Sequence, residues 1–169
     1  IISFDPNIRL PLWSSAEACQ ETVREFLPYA DLVKLSDEEC FFVTGKHSIL
    51  DAANWLFEQG CKMVLYSMGK EGAMILTPHF SSHVENPEVR VKDTTGAGDA
   101  IIGAYLYCLA KNHITVSQLA TCSPEQVQEW LTFAVYYANY SITKSGAIAS
   151  YPDYTTFVKW MQEKRKKAH

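Results

Sequence analysis

Asp93-Thr94-Thr95-Gly96-Ala97-Gly98-Asp99 is the stretch of this 169-residue chain whose residue types and spacing most plainly serve chemistry. It joins a short strand-like segment to an apolar, small-residue helical one. Small residues in a row let backbone N–H groups face a ligand with no side chain in the way. The helix behind adds a dipole of roughly +0.5 charge at its N-terminus. Together these make an anion site, and phosphate is the usual anion. Asp99 then sets a carboxylate beside that anion. The two repel, so the placement serves binding poorly, but it suits a group that takes a proton from an attacking hydroxyl. The alternative is that the glycines make a turn and Asp99 caps the helix; the seven-residue context favours the catalytic reading. No G-x-x-x-x-G-K-[ST] occurs, so this is not a Walker-type P-loop. G-x-G-x-x-G fails because Ile101 stands where the third glycine should be.

The elements that must position this stretch follow from periodicity and capping. Residues 1–5 read as a strand, followed by a polar loop from Pro6 to Trp13. Ser14-x-x-Glu17 is a capping box opening a helix with Cys19, Val23, Phe26 and Leu27 on its apolar face. Asp31–Leu35 reads as a strand. Ser36-x-x-Glu39 is a second capping box, before a brief helix that stops at Gly45. A helix over 48–59 is closed by Gly60. Cys61–Ser67 is a further strand, and Gly69 and Gly72 interrupt the pattern after it. Short strands are predicted at 73–77, 82–85 and 89–91, then helices over 98–111, from about 124, and around Tyr154, Phe157, Val158 and Met161. Alternating strands and helices imply one α/β unit over residues 1–169, with a mostly parallel sheet covered on both faces. Ligands in such sheets bind at the carboxyl ends of strands, where the candidate segments lie.

Composition excludes several classes. Fifteen Lys+Arg against 19 Asp+Glu leave a net charge of −4, and 47% of residues are hydrophobic. That is the balance of a globular domain, not of a disordered chain. The one basic run, Lys164–Lys167, reads as a solvated helix end, so no nucleic-acid partner is expected. The longest apolar or glycine stretch, Ala100–Ala110, has 11 residues, whereas a bilayer takes about 20; no membrane partner is expected. Cys19, Cys40, Cys61, Cys108 and Cys122 are odd in number, without C-x-x-C. They read as free thiols in a reducing cytosol, and the expected localisation is cytoplasmic. His47, His79, His83, His113 and His169 are scattered, which argues against a histidine metal site. The opening Ile1-Ile2-Ser3-Phe4-Asp5 reads as a buried strand, so the sequence is expected to be part of a longer protein.

Asp93 to Asp99 resembles the second signature of the ribokinase-like sugar kinases, the phosphofructokinase-B family. Other segments agree in order and spacing: Ser67-Met68-Gly69-Lys70-Glu71-Gly72, Lys34-Leu35-Ser36-Asp37-Glu38-Glu39 and Ile142-Thr143-Lys144-Ser145-Gly146-Ala147. Asp5-Pro6-Asn7-Ile8-Arg9 is most similar to fructokinases of bacteria and plants. The resemblance spans essentially the whole chain. It implies a three-layer, ribokinase-like (Rossmann-like) fold, of which residues 1–169 are the C-terminal, nucleotide-binding portion, with the N-terminal part and lid outside this sequence.

The resemblance also implies roles. Asp99 is the catalytic base and also touches the substrate, and Gly96, Ala97 and Gly98 form an anion hole. Ser67, Met68, Gly69, Lys70, Glu71, Gly72 and Gly98 meet the nucleotide; read without the family, Ser67–Gly72 is equally a simple turn between strands. Arg9 faces the sugar or phosphate; the alternative is a surface arginine after a strand. Glu39 organises magnesium through water, although as the third residue of its capping box it also has a structural explanation. Asp93, Thr95, Ser141, Lys144, Gly146 and Ser150 surround a monovalent cation, taken to be potassium; the alternative is a loop hydrogen-bonded to Asp93. Ser36 and Val135 stand where relatives often carry polar nucleotide contacts. The implied reaction is ATP-dependent phosphorylation of a sugar hydroxyl, with fructose as the leading substrate and 2-keto-3-deoxygluconate as the alternative. A non-catalytic nucleotide-binding fragment is the alternative of another class. A homodimer formed through the lid is a further implication.

Overall fold

The computed structural model describes residues 1–167. Its sheet has five strands in the order β1 (Ser3–Phe4), β2 (Leu32–Ser36), β3 (Met63–Ser67), β4 (Ala73–Leu76) and β5 (Ser81–Val84). β1, β2 and β3 pair in parallel; β4 runs antiparallel to both β3 and β5, so it alone opposes the common direction. The expected mostly parallel sheet is therefore present, with a β4–β5 hairpin on one side. The helices are α1 (Ala16–Phe26), α2 (Asp37–Thr44), α3 (Ile49–Glu58), α4 (Ala97–Lys111), α5 (Pro124–Ser141) and α6 (Tyr154–Lys167).

Alternation along the strands builds two cores, because successive side chains leave a strand on opposite faces. Val33, Leu35, Val64 and Tyr66 pack with residues of α1, α2 and α3, including Cys19, Val43 and Leu56. Leu32, Met63, Leu65 and Ile75 pack with residues of α4 and α5, among them Tyr105, Leu109 and Leu131. Helices thus cover both faces, giving three layers. A third cluster, Tyr136, Tyr140, Phe157 and Met161, seats α6 on the outer side of α5. Fully burying one such Leu, Met or Phe contributes about 1.5–3 kcal/mol relative to exposing it. All five cysteines are buried free thiols, and burial pushes Cys40 and Cys61 up to about 11 and Cys108 to about 12.

Some local expectations are corrected. Ile1 and Ile2 are exposed, and the first strand is only Ser3–Phe4 at the sheet edge. The cap of α1 is Ser15, whose Oγ accepts from Ala18 N–H at 3.1 Å, one residue after the expected Ser14. Residues 89–91 are not a strand: just beyond them, Lys92 and Asp93 donate their N–H groups to Ile142 O, so the chain is held to the end of α5 instead of the sheet. Ser36-x-x-Glu39 is a complete capping box, as expected. His169 lies outside the described residues.

Gly72, between β3 and β4, has φ 95° and ψ −135°, close to a region open essentially to glycine alone. A Cβ there would fall 2.0 Å from Val84 O. Gly72→Ala is expected to cost more than the ~1–3 kcal/mol of backbone strain alone, because the β4–β5 hairpin must also move. Urea unfolding should show a lowered midpoint at unchanged m-value; a midpoint equal to wild type would contradict this packing.

Candidate active site

Thr94 to Asp99 form a turn that presents the start of α4. Gly96 takes φ 78° and ψ 6°, the values of the third residue of a type II turn, and Ala97 N–H closes that turn on Thr94 O at 3.1 Å. Glycine is required there for space as well, since a Cβ would lie 2.8 Å from both Ala147 Cβ and Tyr151 OH. The first helical hydrogen bond runs from Ala100 N–H to Gly96 O at 2.8 Å. No side chain caps α4, and the N–H groups of Gly98 and Asp99 meet no acceptor among the described residues. The anion-hole expectation is corrected at Ala97, whose N–H is spent in the turn; Gly98 and Asp99 supply the free donors of the first helical turn.

Two long-range clamps hold this loop. Asp93 accepts from Thr95 N–H through Oδ1 and from Gly146 N–H through Oδ2, both at 2.9 Å. These donors favour the charged carboxylate and hold its pKa at about 2. Tyr151 OH donates to Gly96 O at 2.9 Å. Burial raises the Tyr151 pKa, and the nearby Asp99 charge adds to it.

A polar groove in front of the loop is lined by Arg9, Lys34, Ser36, Glu39, Ser67 and Thr94–Asp99. Glu39 Oε2 accepts from both Ser36 N–H and Ser36 Oγ, and Oε1 accepts from Ile8 N–H, each at 2.9 Å. Burial works to raise its pKa, but these donors outweigh it and the group sits below its ordinary value. An ionised carboxylate on a groove wall fits the hard-oxygen preference of magnesium. Arg9 is exposed and donates Nη1 to Ile8 O at 2.8 Å.

Sequence reading missed Lys34. It is 6% exposed, and its Nζ lies 3.0 Å from Asp5 Oδ2. A Cβ on Gly98 would sit 3.1 Å from that Nζ, so a buried ammonium lies across the first turn of α4. Cations are disfavoured at a helix N-terminus. Asp5, which burial pushes above its ordinary pKa despite Lys34 beside it, provides partial compensation. The available signal was a lysine inside the apolar run Leu32-Val33-Lys34-Leu35.

A second groove adjoins the first and runs along α5. Ser67, Gly69, Gly72 and Gly98 line it, with Asn86, Val135 and Asn139. Of the expected nucleotide segment, Met68 instead packs into the core beneath α1–α3, and Lys70 and Glu71 are exposed. Among the expected cation residues, the structure brings Asp93, Thr95 and Gly146 together. Ser141 and Ser150 donate their hydroxyls to Ala138 O and Ala147 O in their own turns. Lys144 extends over the Tyr140 ring, 4.6 Å from its centroid. Among the described residues no group of three or more His, Cys, Asp or Glu could hold a metal ion, and no helix is long and apolar enough to cross a membrane.

The three-layer α/β chain thus sets an uncapped, glycine-rich helix start beside the carboxylate of Asp99. Residues 2–154 match the pfkB family carbohydrate kinases, and the chain belongs to that family. It is 35% identical over 153 residues to fructokinase-2 of Solanum habrochaites and of Solanum lycopersicum, covering 90% of this chain and 45% of each relative. The chain thus spans about half the length of these relatives. Among solved structures, fructokinase from Vibrio cholerae in a fructose-, ADP- and potassium-bound form is 31% identical with a TM-score of 0.81, over 94% of this chain and 49% of that one. Fructokinase with bound ATP from Xylella fastidiosa is 27% identical with a TM-score of 0.89, over 96% and 52%. The fold is ribokinase-like, as a TM-score of 0.70 to ribokinase from Thermotoga maritima also indicates.

The Asp93 clamp has a pH signature. Its folded pKa lies below the ordinary 3.8, so its contribution is fully present above that value and is lost as pH falls towards about 2. The stability difference between wild type and Asp93→Asn should be constant above pH 5 and shrink between pH 4 and 2. Urea titrations across that range check this; a difference that does not vary with pH would contradict an ionised clamp.

Proposed function

We propose that this chain is the C-terminal, nucleotide-binding portion of an ATP-dependent sugar kinase, with fructose as substrate. The observation that carries this reading is the convergence of free N–H groups at Gly98 and Asp99, the buried Lys34 ammonium and the Asp99 carboxylate on one groove. The nucleotide lies along the Ser67–Gly72 turn and α5, with its terminal phosphate towards the start of α4. A sugar hydroxyl gives its proton to Asp99 as its oxygen attacks the γ-phosphorus; the bond to the β-phosphate oxygen breaks and ADP leaves.

Phosphoryl transfer needs placement and charge neutralisation more than covalent help. The helix start and Lys34 supply fixed positive potential on the phosphoryl oxygens. Lys34 extends the site beyond the glycines, because an ammonium held by Asp5 cannot swing out to solvent when the phosphate is absent. Magnesium, when bound, would neutralise the β- and γ-oxygens, and Glu39 is the carboxylate that would hold its water shell. A monovalent cation, potassium, would sit by the loops that Asp93 joins. The fructokinase relatives support fructose, and Arg9 beside the groove keeps 2-keto-3-deoxygluconate as the comparison substrate.

The test is turnover of the complete enzyme with each sugar, in potassium and in a bulky organic cation at matched ionic strength. Fructose-dependent ADP release stimulated by potassium is expected, with no comparable turnover by the 169-residue chain alone. Asp99→Asn should lower kcat about 10²–10⁴-fold, the usual contribution of a general base, while leaving ATP affinity within a few-fold. A role confined to the helix start predicts the reverse, a modest loss of melting temperature and near-normal kcat. Turnover within a few-fold of wild type would rule out Asp99 as the base.

A further inference from the structure

Asn139 is 5% exposed and lies on α5, one turn after Val135, facing the second groove. Its Nδ2 donates to Val135 O at 2.8 Å and to Asn86 Oδ1 at 2.7 Å. Asn86 in turn donates Nδ2 to Gly69 O at 2.8 Å and to Lys70 O at 3.1 Å. Backbone carbonyls only accept, so Val135 O fixes the orientation of the Asn139 amide, and Gly69 O and Lys70 O fix that of Asn86. Both Asn139 amide hydrogens are therefore committed. Its Oδ1 receives no donor from the described residues. Among the described residues no side-chain oxygen that lacks a partner is fully sealed from the surface, so that acceptor retains some exposure, and the groove is the space that Asn139 lines.

A half-satisfied amide in an otherwise apolar wall of Ile101, Val135, Ala138 and Ile142 selects what can lie against it. A flat ring gains from the apolar wall, and an N–H on its edge satisfies Oδ1; a ring presenting only acceptors there leaves two oxygens or nitrogens facing each other. We propose that Asn139 reads the exocyclic amino group of the nucleotide base, making it the residue that favours adenine in this groove. The assignment rests on the nucleotide reading above. Through Asn86, the same side chain ties the base end of the groove to the turn carrying Gly69 and Gly72, so base recognition and the shape of that turn share one hydrogen-bonded chain.

The test is a binding series on the 169-residue chain with ATP, the triphosphate of purine riboside, which has hydrogen in place of the 6-amino group, and N6,N6-dimethyl-ATP. ATP is expected to bind about 3- to 10-fold more tightly than the other two, the range of one neutral hydrogen bond. In Asn139→Leu the gap should close, because ATP weakens and the amino-free analogue does not weaken further relative to it. A merely structural Asn139 would lower affinity for all three nucleotides alike and leave their ratios unchanged, which would overturn the assignment. Equal affinities in the wild type would overturn it too, and that arm decides the matter even if the variant fails to fold. No ATP binding at millimolar concentration would instead refute the nucleotide reading, and the assignment with it.

Discussion

The constraint on which the site depends is that one helix must begin without a cap. Ser15, Ser36, Ser48 and Ser123 each accept a backbone N–H at the start of α1, α2, α3 and α5, and Asp153 accepts Thr156 N–H at the start of α6. Among the α-helices of the described residues, α4 alone begins on a glycine with no side-chain cap. Serine, asparagine or aspartate at that position would satisfy a donor worth about 1 kcal/mol, but would also occupy the place of an anion. The stability forgone locally is offset by contacts from elsewhere: Tyr151 on Gly96 O, Asp93 across to Gly146, and the Thr94–Ala97 turn. An open helix start can be held rigidly only if its supports come from distant segments.

Lys34 completes that logic. A buried ion pair is weak evidence for stability, because desolvation consumes much of the attraction. Here the ammonium lies against the positive end of a helix, which makes it less favourable still. Asp5 offsets this only in part, and its own carboxyl is pushed up by burial. The arrangement becomes electrostatically sound once an anion joins Lys34 and the Gly98 and Asp99 N–H groups. On the same groove Asn7 takes a left-handed φ of 44°, so the backbone there is bent at a non-glycine residue as well as at Gly96.

Much of this was legible in the sequence, for identifiable reasons. Helices with strong apolar periodicity and serine caps fell where expected, since both signals are local. The error at Ser14 against Ser15 is one residue between two equivalent caps, and only the chain's entry angle separates them. Residues 89–91 carry strand-like valines, but the backbone donors that follow find Ile142 O on α5, a partner no local pattern reveals. The Asp93–Asp99 loop was readable because its chemistry is written in consecutive residues. Ala97 was assigned a free N–H because small residues in a row suggest it; the left-handed Gly96 that turns this N–H onto Thr94 O is a conformation, not a composition. Asn139 gave no signal at all, since its meaning comes from Asn86, 53 residues earlier.

The end of α5 is where these distant pieces meet. Ile142 O receives the N–H groups of Lys92 and Asp93, which delivers the signature loop to the helix. One turn earlier, Asn139 reaches Asn86 and through it the Gly69–Lys70 carbonyls. Just beyond the helix, Gly146 donates to Asp93 and Tyr151 to Gly96. Both walls of the second groove and the helix start at its end are thereby referenced to a single rigid element. That element is in turn seated by Trp130, Leu131 and Ala134 on the sheet side and by Tyr136 and Tyr140 against α6. The two grooves share Ser67, Ala97 and Gly98, so holding the start of α4 against the end of α5 also fixes the point at which they meet.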